Sequence, residues 1–142
     1  MNHHSTTKPG RLTIALAIIA TLALAACGAG TDNDPTGRAW ELTELEGAAP
    51  VDGTTIDITI TDDGVSGSSG CNTYSAGADL TVDGSTLELT SEIASTMMAC
   101  EQPIMDQEQR YLMALSSVAS YEMAADELIL KDGEGIAFAT FR

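Results

Sequence analysis

Hydrophobic and polar positions alternate most cleanly at 55–61. Ile56, Ile58 and Ile60 fall on one face there, and Thr55, Asp57, Thr59 and Thr61 on the other. A period of two in β-branched residues predicts a strand with one buried and one wet face, as in an antiparallel sheet. Similar patterning predicts strands at 38–45 around Trp40, Leu42 and Leu45, at 78–82 through Leu80 and Val82, and at 86–90 through Leu87 and Leu89. Asp62-Asp63-Gly64 and Asp83-Gly84 read as turns, with 65–68 returning as a hairpin partner. The period then changes. Between 102 and 120 the apolar residues Ile104, Met105, Tyr111, Leu112, Leu115 and Val118 are spaced mostly by threes and fours from Glu108 onward. Pro103 suits a helix entry, so one amphipathic helix is predicted at 104–117. Short strands follow at 120–123 and 127–131, and a last one at 136–141 after the turn Asp132-Gly133. This order predicts an α+β fold. Its simplest form is a curved antiparallel sheet, a half-open barrel, with the helix packed on it, because sheet and helix each have an apolar stripe to hide.

The N-terminus follows a different logic. Lys8 and Arg11 precede an uncharged run at 12–26 that is 15 residues long. That is short for a hydrocarbon core of about 30 Å, and it matches an export signal. The run ends in Leu24-Ala25-Ala26-Cys27, which resembles the lipobox of bacterial lipoproteins. The resemblance implies cleavage before Cys27 and its acylation, for example with palmitate, against the alternative of an incidental cysteine. Several acyl chains on one residue anchor stably. The expected organisation is a signal peptide at 1–26, a lipidated cysteine and flexible tether at 27–35, and a domain at 36–142. The expected location is extracytoplasmic, on the cell membrane, which Cys27 contacts through its lipid.

Charge and composition narrow the functions. Six Lys and Arg stand against 21 Asp and Glu, a formal net charge of −15. Phosphate binding needs a basic face, so nucleic acid is excluded as a partner. Loss of 26 residues leaves 116, with four basic side chains and all 21 acids, a side-chain total of −17. Both histidines, His3 and His4, depart with the signal. Ser-His-Asp and Cys-His catalysis and His-ligated metal sites then lack a required group.

The segment Gly67-Ser68-Ser69-Gly70-Cys71-Asn72-Thr73-Tyr74 resembles the G-x-x-G-C-N-x-Y signature of the META domain, or heat-shock protein HslJ-like, family. Trp40-Glu41-Leu42 matches its opening W-x-L, and Thr96-Met97-Met98-Ala99-Cys100 its T-x-M-A-C. Glu108, Tyr111, Leu115 and Val118 fit its helix pattern, and Leu128-Ile129-Leu130 its late strand. The resemblance implies a small sheet with a packed helix and structural roles for Trp40, Gly67, Gly70, Asn72, Tyr74, Thr96 and Met98. It implies no established catalytic site, and it associates the chain with the envelope and with stress response. So acidic a chain is a departure from that pattern. The family's two signature cysteines map onto Cys71 and Cys100, implying a disulfide. An oxidising compartment favours that pair over two free buried thiols. Closing its 29-residue separation is worth about 3.6 kcal/mol in the chain-entropy model.

The remaining candidates read as bland. Gly67-Ser68-Ser69-Gly70 has no Walker lysine and no following helix, so a tight bend is expected, with Asn72 bonding backbone groups inside it. Asp32-Asn33-Asp34 and Asp62-Asp63 lack the spacing of a Ca²⁺ loop. Met97, Met98, Met105, Met113 and Met123 are expected to pack the core rather than bind a soft metal. No enzyme activity, metal or cofactor is expected. The sequence reading is a non-catalytic, membrane-anchored envelope lipoprotein that binds or stabilises an unknown envelope protein. The alternative is a carrier of a small apolar ligand or lipid between sheet and helix.

Overall fold

The computed structural model describes residues 33–142. The expected signal at 1–26 and the lipidation candidate Cys27 lie outside the described residues. The elements run β1 (Ala39–Leu45), β2 (Asp57–Thr61), β3 (Gly64–Ser68), β4 (Thr73–Thr81), β5 (Thr86–Leu89), β6 (Ala94–Ser95), α1 (Gln102–Leu115), β7 (Val118–Ala124), β8 (Glu127–Asp132) and β9 (Ala137–Phe141). The α+β class and the single helix are as the sequence predicts, among the described residues.

The half-open barrel is corrected. The strands follow one another around the sheet as β3-β2-β1-β9-β8-β7-β5-β4, and β4 pairs back onto β3 from Gly64↔Gly77 to Ser68↔Thr73. The result is a closed eight-stranded antiparallel barrel. Closure depends on the length of β4, nine residues. One of its edges takes β3. The other takes β5 along Ala78–Thr81 and the short β6 at Tyr74 and Ser75. The predicted strand at 78–82 omitted the half of β4 that closes the ring.

The alternation in β2 places Ile58 and Ile60 in the interior, with Ile56 just before the strand. Trp40, Leu42, Leu87, Leu128, Leu130 and Phe141 meet them there. Helix α1 begins two residues before the predicted start, because Pro103 sits in its first turn, where no backbone N–H is needed. Its inner face is Gln107, Glu108, Tyr111 and Leu115. The Tyr111 ring lies edge-on to Tyr74 and Phe141, at 5.6 and 6.4 Å between centroids. Strand directions put α1 over the end of the barrel at which β1, β3 and β5 finish.

A strap of chain covers the opposite end. Pro35 is fully buried, and its carbonyl accepts a bond of 2.8 Å from the Trp40 indole N–H. The Asn33 carbonyl accepts from the Tyr121 hydroxyl at 2.9 Å. Arg38 stacks 3.4 Å over the Trp40 ring and donates to the Asp126 carbonyl. Packing among the described residues therefore includes Asn33–Pro35, which fall within the stretch expected as tether at 27–35. These three residues form a strap held against the barrel.

Candidate functional site

The signature residues converge on one buried polar cluster between the β3–β4 bend, the segment before α1, and α1 itself. Asn72 is 2% exposed and sits at its centre. Its side-chain amide donates to Glu108 Oε1 at 2.7 Å and to the Met98 carbonyl at 3.2 Å. Its Oδ1 accepts from the Thr96 hydroxyl at 2.9 Å and from the Met98 N–H at 2.6 Å. Both donors and both acceptors of the amide are used. Asn72 bonds within its own bend through its carbonyl, which accepts from the Ser69 N–H, while its side chain ties three separate stretches of chain together. Thr96 extends the tie, because its hydroxyl accepts from the Thr73 N–H and its own N–H donates to the Thr73 carbonyl.

Glu108 reaches the cluster from α1. Oε2 accepts from the Ser69 hydroxyl at 2.5 Å and from the Asn72 N–H at 2.8 Å. Burial alone would raise its pKa. Hydrogen bonds from Ser69, from the Asn72 side chain and from the backbone of Asn72 and Cys71 outweigh that, and hold the carboxyl below the usual glutamate range. Glu108 is thus a charged group whose neutralisation is built from donors rather than from a cation. Next to it Gln107, 1% exposed, accepts from the Val51 N–H at 2.6 Å and donates to the Thr54 hydroxyl at 3.1 Å.

Two glycines make room for this. Gly70 has φ +107°, a conformation that favours glycine, and a side chain there would approach Gln107 and Ile104. A Cβ on Gly67 would lie 2.1 Å from the Asp57 carbonyl oxygen, so β3 can approach β2 only without one. Tyr74 donates to that same Asp57 carbonyl at 3.0 Å, and its hydroxyl lies 2.6 Å from that of Tyr111. Burial pushes both phenols above their ordinary range. Cys71 and Cys100 form a disulfide, with Cα atoms 6.1 Å apart. It closes the loop that Asn72 also holds. Trp40, assigned a structural role, is a core residue at the far end of the barrel.

Chemically the cluster is closed. No buried side-chain nitrogen or oxygen among the described residues lacks a partner. Lys131, which a Ser–Lys arrangement would require, is paired with Glu122. No group of three or more His, Cys, Asp or Glu among the described residues is placed to hold a metal. Ser69 and Glu108, central here, stand out in the sequence only as part of the Gly67–Gly70 bend and as part of a helix pattern. The usable signal was a carboxylate in register with Tyr111 and Leu115 on the apolar face of α1.

Outside the cluster lies a groove of about 560 Å³ between residues 95–99 and α1. Its apolar wall includes Met97, Met98, Met105 and Leu112. The expectation of five core methionines is corrected for all but Met123, which packs against the core. Met97 is 97% exposed, Met98 59% and Met113 62%, and Met105 and Met123 are half-buried. Asn72 and the disulfide fix the backbone of 96–100 on the barrel, so Met97 and Met98 turn to solvent.

A family model described as the META domain matches residues 33–142. Nothing among curated proteins matches the sequence. An NMR structure of a protein from Burkholderia xenovorans is 28% identical, with a TM-score of 0.58, covering 75% of this chain and 81% of that one. A second NMR structure, 20% identical, has a TM-score of 0.61 over 79% of this chain and 93% of that one. A crystal structure of a DUF4847 family protein from Bacteroides vulgatus, 14% identical, has a TM-score of 0.54 and covers 79% and 96%. The last two likenesses concern the fold alone.

Proposed function

The chain belongs to the META domain family, and from that premise we propose that it is a non-catalytic, membrane-anchored envelope lipoprotein with a stress-related role. Its domain binds or stabilises another envelope component. The observation that carries this reading is the division of side chains. Ser69, Asn72, Glu108, Tyr74 and Tyr111 are buried and spend their polar atoms on one another. Met97, Met98 and Met113, by contrast, face solvent. A fold that consumes its reactive groups internally and displays polarizable apolar ones is built for contact. The anchor rests on the lipobox-like Leu24-Ala25-Ala26-Cys27.

Two measurements test the proposal. Metabolic palmitate labelling should mark the chain and disappear in Cys27→Ala; label that persists refutes the anchor. A photo-reactive residue at position 97 or 136 should crosslink in cells to a discrete protein. Adducts with lipid alone count against the binding role. A carrier of an apolar ligand is the second reading, favoured by the volume of the groove. Native mass spectrometry separates the two, because a carrier co-purifies with its cargo.

A further inference from the structure

We propose that the methionine groove on α1 is a docking site for a basic amphipathic helix of an envelope protein; this rests on the binding role proposed above. The groove has the length for a helix. Gln102, Met105, Gln109 and Leu112 recur every three or four residues along its α1 wall. They span three turns, about 15 Å. Its opposite wall is residues 95–99, whose backbone is already fixed. The Met98 N–H and carbonyl bond to Asn72, and the Cys71–Cys100 bridge holds the segment's end. The wall is therefore rigid in its backbone and adaptable in its thioether side chains, which suits the apolar face of a helix.

Charge complementarity sets the sign of the partner. Asp106 lines the groove and Glu101 stands exposed at the start of α1. No basic residue lines it. All four basic side chains among the described residues are engaged elsewhere. Arg110 faces Glu46 across 3.9 Å, Lys131 pairs with Glu122, Arg142 pairs with Glu127, and Arg38 lies on Trp40. The uncompensated charge around the groove is negative. A second copy would bring an equally acidic rim, and an anionic lipid headgroup would be repelled. Placement agrees. The strap at Asn33–Pro35 and helix α1 lie at opposite ends of the barrel, so a chain held upstream of Asn33 presents the groove away from its attachment.

The test uses the full chain in phosphatidylcholine nanodiscs, with ¹³C-methyl methionine. The probe is a Leu/Lys amphipathic helical peptide of about 18 residues, with a Leu/Glu twin of the same pattern. The Leu/Lys peptide should shift the Met97, Met98 and Met105 methyl signals saturably and leave those of Met113 and Met123 in place. Met97→Gln with Met98→Gln should weaken binding at least about tenfold. These side chains are exposed, so the barrel survives their replacement. Asp106→Asn with Glu101→Gln should weaken it about threefold at low salt and less at high salt. Uniform shifts of all five methyls, equal binding of the Leu/Glu twin, or no shift at all would overturn the proposal. So would a shift caused by lauric acid with the peptide silent, which would move the groove to the carrier reading. If the groove is silent while crosslinking from position 136 still captures a protein, the docking assignment fails and the binding role stands. If no position yields a protein adduct, the binding role itself fails.

Discussion

Replacing Glu108 by glutamine tests the central cluster most directly. The glutamine oxygen can occupy the Oε2 position and keep the contacts from Ser69 and the Asn72 N–H, weakened by loss of charge. The glutamine NH₂ then falls where Oε1 was, facing the Asn72 amide at about the present 2.7 Å. Asn72 cannot flip to receive it, because its Oδ1 already holds Thr96 and the Met98 N–H. The variant thus trades a charge-assisted bond, worth about 1.5–3 kcal/mol, for two opposed buried donors, and the loss should be about 3 kcal/mol at pH 7. Urea unfolding without reductant measures it, with Trp40, the single tryptophan and a buried one, as the fluorescent reporter. The pH dependence has a definite sign. The folded pKa of Glu108 lies below its unfolded value. The stabilisation is complete above the ordinary glutamate range, about 4.3. It is lost as pH falls through the lower folded value. The variant lacks this group, so its deficit against the parent should narrow as pH falls below the ordinary glutamate range. A deficit under about 1 kcal/mol at pH 7, or one that stays constant into acid, would refute the reasoning.

Reducing the Cys71–Cys100 bridge, or Cys71→Ser with Cys100→Ser, should lower stability by about 3.6 kcal/mol; non-reducing mass analysis showing two free thiols would remove the premise. Gly67→Ala should destabilise by at least about 2 kcal/mol, because the new methyl would press on the Asp57 backbone; thermal melting at parent level would disprove that contact. Raising NaCl from low salt to about 1 M should raise the melting temperature, since screening relieves repulsion among the excess acids. A flat or falling curve would contradict it.

The sequence displayed the elements better than their closure. Ile56, Ile58 and Ile60 announced β2 because buried and wet sides differ in polarity. The first half of β4, Thr73-Tyr74-Ser75-Ala76-Gly77, offers small residues and a glycine, and it reads as the continuation of a bend. Two-residue β6 has no period to detect. Neither the β3–β4 return nor the single β5–β7 register pair, Thr86↔Ser120, leaves a local trace, so an open sheet was the natural reading. The cluster was legible as motifs but not as contacts. Asn72, Thr96 and Met98 were singled out by resemblance, while their partners Ser69 and Glu108 carried no such emphasis. The methionines misled because hydrophobicity states what a side chain prefers. It does not state what a pinned backbone allows.

The strap beneath Trp40 also sets how the domain bears load. Tension applied upstream of Asn33 first meets Pro35, buried and bonded to the indole N–H, and then runs along β1. That strand is bonded on one side to β2 and on the other to β9. A pull along its length loads these ladders in shear. Their hydrogen bonds must then fail together rather than unzip one by one. A domain held from this end and drawn upon from the helix end would transmit force through its stiffest direction.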